Sequence, residues 1–293
     1  MNPTFLSSEY PQSTPEEALF QILPVPYEAT VSYGGGTASG PAAIIEASSQ
    51  LEANDGCGNF PGQRGFHTYP AVDCSGECQK VFNRISSTVA QIAALPGRKI
   101  PVVLGGEHSI SYPVLQPLVD RCGAGQIGVV QIDAHADLRD AYEGNRFSHA
   151  SAMRRLHADL GLPLVQLGVR ALSQEEIDYR AAHLETITAY DARELVPSGV
   201  RDIQLPRSFP PLLYLTIDVD GLDPSIMPAT GTPVPGGLQW YPLLSLLRSI
   251  LSQRKLIGMD LVELAPIEGL HHSTFTAVDL LHKVMGMVVE SEG

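Results

Sequence analysis

The sequence predicts one three-layer α/β domain, in which a mainly parallel sheet lies between two layers of helices. Short runs that are apolar along their whole length alternate with segments of helical periodicity, as expected for strands buried on both faces. Several runs end in acidic or histidine side chains, and ligands of such sheets bind at the carboxyl ends of the strands. No repeat or dividing linker is visible, so we expect a single domain over residues 1–293, with residues 1–16 as a flexible N-terminal arm.

The first hundred residues predict one strand, two helices and two loops. Residues 18–23 form an apolar strand. The glycine-rich segment 32–41 lacks the Lys-Ser/Thr ending of a phosphate-binding loop, and its Pro41 suits the first position of a helix over 42–53. Residues 55–74, rich in glycine and proline, predict a surface loop. The second helix is predicted from apolar residues at helical spacing, which are Val81, Phe82, Ile85, Val89 and Ile92.

The remainder of the chain continues the alternation of strands and helices. A strand over residues 100–108 precedes a helix that we expect Pro113 and Pro117 to break. Ser173 and Glu176 form a capping-box pattern that begins another helix. Further strands are expected at 127–132, 163–170, 184–190, 212–217 and 256–263. Further helices are expected at 148–160, 240–253 and 274–289.

The composition is that of an acidic globular protein. Hydrophobic residues make up 44% of the chain and charged residues 17%, and the formal net charge is −13. Such a charge disfavours binding to nucleic acid or to an anionic membrane, so we expect neither partner. Residues 1–20 show no secretory signal pattern, and no apolar run has the ~18 residues of a membrane span, which predicts a cytoplasmic location. Four cysteines in this length are not a disulfide framework.

Metal-capable side chains follow three of the predicted strands. Asp-Ala-His-Ala-Asp at 133–137 comes directly after the strand 127–132, and alternate residues share one face if the extended path continues through it. Asp-Val-Asp follows the strand 212–217, and a histidine ends the strand 100–108. The six candidate ligands are His108, Asp133, His135, Asp137, Asp218 and Asp220. Because carboxyl ends of parallel strands meet at one edge, these residues predict a metal centre there.

The ligand types indicate the metal and the charge of the substrate. Four carboxylates and two imidazoles suit Mn²⁺ better than a thiol-loving metal, and bridging carboxylates can hold two ions ~3.5–4 Å apart. Four aspartates balance two divalent ions, so a hydroxide and a nearby Glu263 would leave the site negative. A cationic electrophile therefore fits, and a planar guanidinium matches bidentate carboxylate contact. His271 and His272 are further candidates for the mouth of the pocket.

Five segments together resemble the ureohydrolase family, the arginases and agmatinases. They are Gly-Gly-Glu-His-Ser at 105–109, Asp-Ala-His-Ala-Asp at 133–137, Ser-His-Ala-Ser at 148–151, Thr-Ile-Asp-Val-Asp-Gly-Leu-Asp-Pro at 216–224, and Val262-Glu263 before Ala-Pro. The resemblance implies an arginase/deacetylase-like fold with two Mn²⁺ ions, Ni²⁺ being the alternative that the ligand set also accepts. It implies homo-oligomers too, either trimers or hexamers.

The resemblance also implies a role for each site residue. His108, Asp133, Asp137 and Asp218 would hold one ion. Asp133, His135, Asp218 and Asp220 would hold the other, with Asp133 and Asp218 bridging. A hydroxide shared by the two ions would attack the guanidinium carbon. Three residues would act on the reaction itself: Asp137 as the proton donor to the leaving amine, Glu263 as the ligand of the guanidinium, and His149 as a proton shuttle that contacts the substrate.

Within the family, the segment 137–149 is similar to bacterial agmatinases. It lacks the Asn- and Ser-bearing segments with which arginases hold the amino acid, so agmatine, hydrolysed to putrescine and urea, is the expected substrate. Guanidinobutyrate, guanidinopropionate, guanidine and arginine are alternatives. A distal carboxylate on the substrate is favoured if Arg139 or Arg146 faces the pocket. At position 45, many members carry Arg where this chain has Ile45, which bears on packing and not on chemistry.

Two other classes of function are weighed against hydrolysis of a guanidino compound. A two-metal phosphoesterase would pair Asp-x-His with Gly-Asp and Gly-Asn-His-Asp/Glu segments, and neither segment is found here. A non-catalytic subunit that supports an active partner would be expected to lack ligands or the guanidinium-binding carboxylate, whereas all six ligands and Glu263 are present.

Overall fold

A computed structural model describes residues 3–199 and 202–291. Within these residues eight strands form one fully parallel sheet, in the order β2-β1-β3-β8-β7-β4-β5-β6. The strands are β1 Phe20–Val25, β2 Phe66–Thr68, β3 Ile100–Gly105, β4 Ile127–Ile132, β5 Leu164–Leu167, β6 Ile187–Tyr190, β7 Leu212–Asp218 and β8 Lys255–Val262. The predicted parallel sheet is confirmed, and every residue of β1, β3, β4 and β5 is buried.

Helices cover both faces of the sheet, which completes the three predicted layers. They are α1 Gly40–Ser48, α2 Cys78–Ala94, α3 Ser111–Cys122, α4 Ala152–Ala158, α5 Gln174–Ala182, α6 Ala192–Ser198, α7 Trp240–Leu251 and α8 His271–Glu290. Buried side chains of α1, α6, α7 and α8 belong to one apolar cluster, and those of α2, α3 and α4 belong to another. Strand β3 contributes Val102 and Leu104 to the first cluster and Val103 to the second, as the alternation of side chains requires.

The helix after β3 is continuous, which corrects the expected break at Pro113 and Pro117. Pro113 lies in the first turn of α3, where a missing N–H costs little, but Pro117 lies inside the helix. Because Pro117 has no N–H to donate, the carbonyl of Pro113 loses its helical partner. The Ser86 hydroxyl of α2 donates to that carbonyl at 2.7 Å instead. A hydrogen bond between two helices thus replaces one within a helix.

Two elements in the described residues were not predicted. Strand β2 lies in the segment expected to be a surface loop, and it is a three-residue strand that pairs with β1. Helix α6 follows β6 directly and ends at Gly199, whose φ of 64° stops the helix. Both elements are too short to show a period, so their formation depends on the neighbours against which they pack.

The N-terminal arm contacts the domain at Phe5 and Leu6, while most side chains of residues 7–16 are exposed, and a flexible arm over residues 1–16 stays a prediction. Phe5 and Leu6 are buried, and their backbone N–H groups donate to Thr68 Oγ1 at 3.0 Å and Ser48 Oγ at 2.8 Å. Residues 1 and 2 lie outside the described residues. Ile45 is also buried in the apolar cluster of this face, where an unpaired arginine would be costly.

Candidate functional site

The candidate ligands converge because their strands are neighbours at the centre of the sheet. Strands β3, β8, β7 and β4 are adjacent and parallel, so their carboxyl ends form one edge. The turn after β3 is tight: a Cβ on Gly106 would lie 2.0 Å from the carbonyl oxygen of Tyr27, which explains the glycine of the Gly-Gly-Glu-His segment. His108 then begins a short 3-10 turn and is buried beneath the edge.

His108 lies among three of the predicted carboxylates. Its Nδ1 is 3.1 Å from Asp133 Oδ2, 3.0 Å from Asp137 Oδ2 and 3.6 Å from Asp218 Oδ2. A second group forms beside it, since His135 Nδ1 is 2.9 Å from Asp220 Oδ2 and 3.6 Å from Asp133 Oδ1. Asp133 belongs to both groups, through one oxygen to each histidine. All six predicted ligands are therefore brought together in two adjoining sets.

This donor set fits divalent metal ions. Two groups of three residues, His108-Asp133-Asp137 and Asp133-His135-Asp220, each offer ligand atoms within 4.8 Å of one another. Nδ1 of His108 is buried and forms no aligned hydrogen bond with any residue in the described part of the chain, as expected of an atom that binds a cation. Carboxylate oxygen and imidazole nitrogen suit hard-to-borderline metals. Asp218 lies at the edge of the first group, 3.6 Å from the same nitrogen.

Residues behind His108 fix which nitrogen of its ring faces the carboxylates. Nε2 of His108 lies 2.7 Å from Thr216 Oγ1, and the Thr216 hydroxyl donates to Asp260 Oδ1 at 2.5 Å. Since the threonine proton is used in that bond, Nε2–H of His108 is the donor to Thr216, and Nδ1 is left for a metal. Asp260 also accepts from Ser111 and Tyr214. Sequence reasoning missed Thr216 and Asp260, although a carboxylate inside the apolar run of β8 was a visible signal.

The extended path expected through residues 133–137 is kept only in part. Strand β4 ends at Ile132, and His135 still forms an isolated parallel bridge with Ala171. Asp137 then departs with a φ of 52°, in the left-handed region. Glu263, directly after β8, has a φ of 63°, and its Oε1 accepts the backbone N–H of His108 at 2.8 Å. The direction of these two carboxylates is therefore set by turns and not by a continued strand.

Burial and like charge set the proton affinities of the cluster. Burial and the charge of Asp133 raise the pKa of Asp137 to about 7. Burial, Asp220 and Asp133 raise the pKa of Asp218 well above its usual range. Burial lowers the pKa of His135, but hydrogen bonds to Asp133 and Asp220 outweigh this and raise it to about 12. Without a metal the cluster therefore holds protons at neutral pH that the ligands must release when a metal binds.

A cavity of about 300 Å³ opens over the two groups. Its lining includes every predicted site residue except the buried His108 and Asp133, and adds Tyr142, Ser173, Glu176 and Thr232. Arg139 also lines it, with its guanidinium 5.3 Å from the centre of the Tyr142 ring. Arg146 instead forms an ion pair with Asp159 at 2.8 Å. The exposed His271 and His272 begin α8 and are absent from the lining, so they are not placed at this mouth.

His149 lies on the wall of the cavity, in the 3-10 turn that precedes α4. Ser148 caps this turn, and the His149 ring stands 5.8 Å from the Tyr142 ring, centre to centre. Burial lowers the pKa of His149, so the ring is neutral at pH 7. Thr30, in a loop after β1, lies 3.2 Å from Nδ1 of the ring. Neither Thr30 nor its partner Glu107 was singled out from the sequence, since no pattern links positions 30, 107 and 149.

Comparisons with known proteins agree with this site. A model of the arginase family matches residues 18–286. An N(1)-aminopropylagmatine ureohydrolase of Synechocystis is 38% identical, covering 98% of this chain and 94% of that protein. An agmatinase of Pyrococcus horikoshii is 30% identical, covering 95% of each chain. The solved agmatine ureohydrolase of Thermoplasma volcanium superposes with a TM-score of 0.80 at 25% identity, over 95% of this chain and 92% of that one. The chain therefore belongs to the arginase family, a family of binuclear metal enzymes, and is a ureohydrolase that acts on guanidino C–N bonds.

Proposed function

We propose that this ureohydrolase releases urea from a guanidino compound that carries a second amine, such as agmatine or its N(1)-aminopropyl derivative. The charge of the cavity wall is the observation that carries the proposal. Five buried carboxylates line the cavity, which are Asp137, Glu176, Asp218, Asp220 and Glu263. Even with two divalent ions bound, such a wall favours a cation over an anion.

The relatives and the size of the cavity support the same class of substrate. The Synechocystis relative bears the name of an enzyme acting on N(1)-aminopropylagmatine, and the Pyrococcus relative that of one acting on agmatine. A cavity of about 300 Å³ lies at the small end of ligand pockets, which span roughly 300–1,000 Å³. A linear amine would be held at its guanidinium end and extend toward the mouth.

We propose Mn²⁺ as the metal, with Ni²⁺ as the alternative. His108, Asp137 and the shared Asp133 would hold one ion, and His135, Asp220 and Asp133 the other, with Asp218 reaching the first set. When bound, the ions supply Lewis acidity and a water of lowered pKa. The preference for carboxylate and imidazole ligands supports either metal, and availability decides between them.

Three residues would do the remaining work on the substrate. Glu263 is buried beside the first metal group and would accept the guanidinium N–H groups. Asp137 lines the cavity and would take up a proton from the attacking water and return it to the leaving amine. His149, on the cavity wall, would exchange protons between the amine and solvent.

Replacing Asp137 by Asn tests its assignment. The amide can neither carry the proton nor ligate as a carboxylate, so urea release should fall by at least a hundredfold and metal binding should weaken. Turnover by a colorimetric urea assay and bound metal by elemental analysis are measured on the same sample. Normal urea production by Asp137→Asn would contradict the role.

A second candidate substrate is a guanidino acid, and one observation favours it. Among the described residues that line the cavity, Arg139 is the only arginine or lysine. The other basic side chains of the lining are His135 and His149. If the Arg139 guanidinium reaches the distal end of the substrate, it could bind a carboxylate in a bidentate manner. The amine proposal instead requires Arg139 to remain on the Tyr142 ring, away from the substrate.

A panel of substrates separates the two candidates. Urea release is measured from agmatine, N(1)-aminopropylagmatine, 4-guanidinobutyrate, 3-guanidinopropionate, arginine and guanidine, with metal content recorded. We expect the highest kcat/KM for one of the two amines, unchanged or improved by Arg139→Gln. Arg146→Gln is the control, since Arg146 is paired with Asp159 outside the lining. A preference for 4-guanidinobutyrate that Arg139→Gln removes would establish the second candidate, and two bound ions without turnover would indicate a non-catalytic subunit.

A further inference from the structure

The loop after β1 holds the ring of His149 through one hydroxyl. Thr30 Oγ1 accepts the backbone N–H of His149 at 3.0 Å and lies 3.2 Å from Nδ1 of its ring. Nε2 of the ring has no hydrogen bond to the residues that the structure describes, and the ring lines the cavity. The position of the ring proton therefore depends on the Thr30 hydroxyl. If the hydroxyl accepts from the ring, Nδ1 carries the proton, and if it donates to the ring, Nε2 does.

Glu107 determines the direction of that hydroxyl. The buried carboxylate accepts the backbone N–H groups of Ala29 at 2.5 Å and Thr30 at 2.6 Å, and the hydroxyl of Ser109 at 2.6 Å. The Thr30 hydroxyl donates to its Oε1 at 2.8 Å. A hydroxyl has one proton and two lone pairs, so Thr30 has only acceptor capacity left for His149.

We propose that Glu107 and Thr30 are positioning residues that hold His149 as the Nδ1–H tautomer, with the lone pair of Nε2 facing the substrate. This inference rests on the proposed function, because it explains how His149 would receive a proton from the cavity side. A ring with the proton on Nε2 could not accept one there without first reorienting. The arrangement repeats that of His108, where Asp260 takes the proton of Thr216 and the threonine accepts from the ring.

Ser148 offers the competing arrangement. Its Oγ lies 3.3 Å from Nδ1 of His149 and accepts the Ala150 N–H at 3.4 Å with one of its two lone pairs, so its proton is available for Nδ1. If the Ser148 hydroxyl donated to Nδ1, the proton would sit on Nε2 and the lone pair would be turned away from the cavity. The two arrangements predict opposite tautomers, so an experiment on the full-length protein can decide between them.

The tautomer is measured directly by NMR of ¹⁵N-histidine-labelled protein loaded with diamagnetic Zn²⁺. The His149 resonances are assigned by comparison with His149→Ala. We expect a protonated Nδ1 and an unprotonated Nε2, a change of tautomer in Thr30→Val, and no change in Ser148→Ala. An unprotonated Nδ1 in the wild type, or a switch caused by Ser148→Ala alone, would overturn the proposal. This readout is independent of turnover, so it stands even if no guanidino compound is hydrolysed.

Kinetics then separate positioning from a structural role. Thr30→Val should lower kcat roughly tenfold to hundredfold with KM and bound metal unchanged, and Thr30→Ser should restore it. In a His149→Ala background, Thr30→Val should add no further loss, because its effect acts through the ring. An equal loss in both backgrounds would show that Thr30 only supports the loop. If Thr30→Val does not fold, Thr30→Ser and the wild-type tautomer still decide the question.

Discussion

Asp137 and Glu263 adopt left-handed backbone conformations that residues other than glycine rarely take. A φ of 52° or 63° costs on the order of 1–3 kcal/mol and persists only where the surroundings fix it. Here the N–H of Arg154 donates to Asp137 O at 2.9 Å, and that of Glu263 donates to Gly106 O at 2.8 Å. Both residues face the cavity. The strained backbone at Asp137 and Glu263 therefore directs both carboxylates into the same cavity.

The hydroxyl of Thr216 matters for metal affinity through His108. Replacing Thr216 with the nearly isosteric Val removes the acceptor of Nε2–H and leaves Asp260 without one donor. We expect metal affinity to fall by roughly 10–100-fold, the usual effect of losing such an outer hydrogen bond. Titration of metal-free protein with Mn²⁺ measures this, and Thr216→Ser is the control that keeps the hydroxyl. Unchanged affinity in Thr216→Val would show that His108 is oriented by packing alone.

Metal binding should release protons at neutral pH. In the metal-free cluster, hydrogen bonds to Asp133 and Asp220 overcome the effect of burial and raise the pKa of His135 to about 12, so its ring is charged at pH 7. Asp137, with a pKa of about 7, is half protonated there. Metal ligands must be deprotonated, so affinity rises with pH and most steeply below about pH 7.

Calorimetry in buffers with different ionisation enthalpies checks this release. The observed enthalpy of Mn²⁺ binding should vary with the buffer, with about one or more protons released per ion at pH 7. Binding enthalpies that are the same in all buffers would contradict the protonation states described for the metal-free site.

At the scale of elements, the start of α5 links helix capping to the cavity. The predicted capping box is confirmed: Ser173 caps the helix, and Glu176 Oε2 accepts both the N–H and the hydroxyl of Ser173 at 2.8 Å. The other oxygen of Glu176 accepts the N–H of Leu138 at 3.1 Å, in the turn that follows Asp137. One side chain therefore caps the start of a helix and holds the loop after Asp137.

Removing either half of this cap should have different effects. Ser173→Ala loses the cap and should lower the free energy of unfolding by about 1 kcal/mol with little effect on kcat. Glu176→Ala also frees the loop after Asp137 and should lower kcat/KM as well. Denaturant unfolding and urea release measure the two quantities, with Ser173→Thr as the conservative control. Equal losses of activity in both alanine variants would show that the loop does not depend on Glu176 itself.

The long strands and the convergence of the candidate ligands could be predicted from sequence, while shorter elements and supporting residues could not. Strands such as β4 and β7 are buried and mainly apolar, and the candidate ligands lie at or just after their carboxyl ends. Strand β2 has three residues and needs β1 as a template. The continuity of α3 depends on Ser86, 27 residues before the carbonyl that it satisfies. Thr30 and Glu107 are 77 positions apart, and their contact exists only in the folded chain.

At the scale of the whole molecule, the site concentrates negative charge that metals neutralise. Four aspartates of the metal groups and Glu263 are buried within one region, and the chain as a whole carries −13. No helix among residues 3–199 and 202–291 has the length and apolar character to cross a membrane. Homo-oligomers, expected from the family resemblance as trimers or hexamers, stay a prediction that light scattering coupled to size exclusion would test.

Metal removal should lower the stability of the entire domain. The ligands follow three central strands, so their mutual repulsion acts on the centre of the sheet. A ligand at a thousandfold excess over its Kd stabilises a fold by about 4 kcal/mol, so chelation should lower Tm by several degrees. Differential scanning fluorimetry before and after chelation measures this, with Mn²⁺ added back as the control. An unchanged Tm would show that the folded protein binds the metal no more tightly than the unfolded chain does.

The position of β8 has a consequence for how the protein is made. It is the last strand of the described chain, yet it inserts between β3 and β7 at the middle of the sheet. Until residues 255–262 leave the ribosome, β1–β3 and β4–β7 can exist only as two half-sheets, each with an open edge that invites wrong pairing. Asp260 and Glu263 arrive with that strand. The group His108-Asp133-Asp137 therefore forms only when β8 joins the half-sheet that carries His108 to the one that carries Asp133 and Asp137. We expect a chain that stops before β8 to be inactive and prone to aggregate.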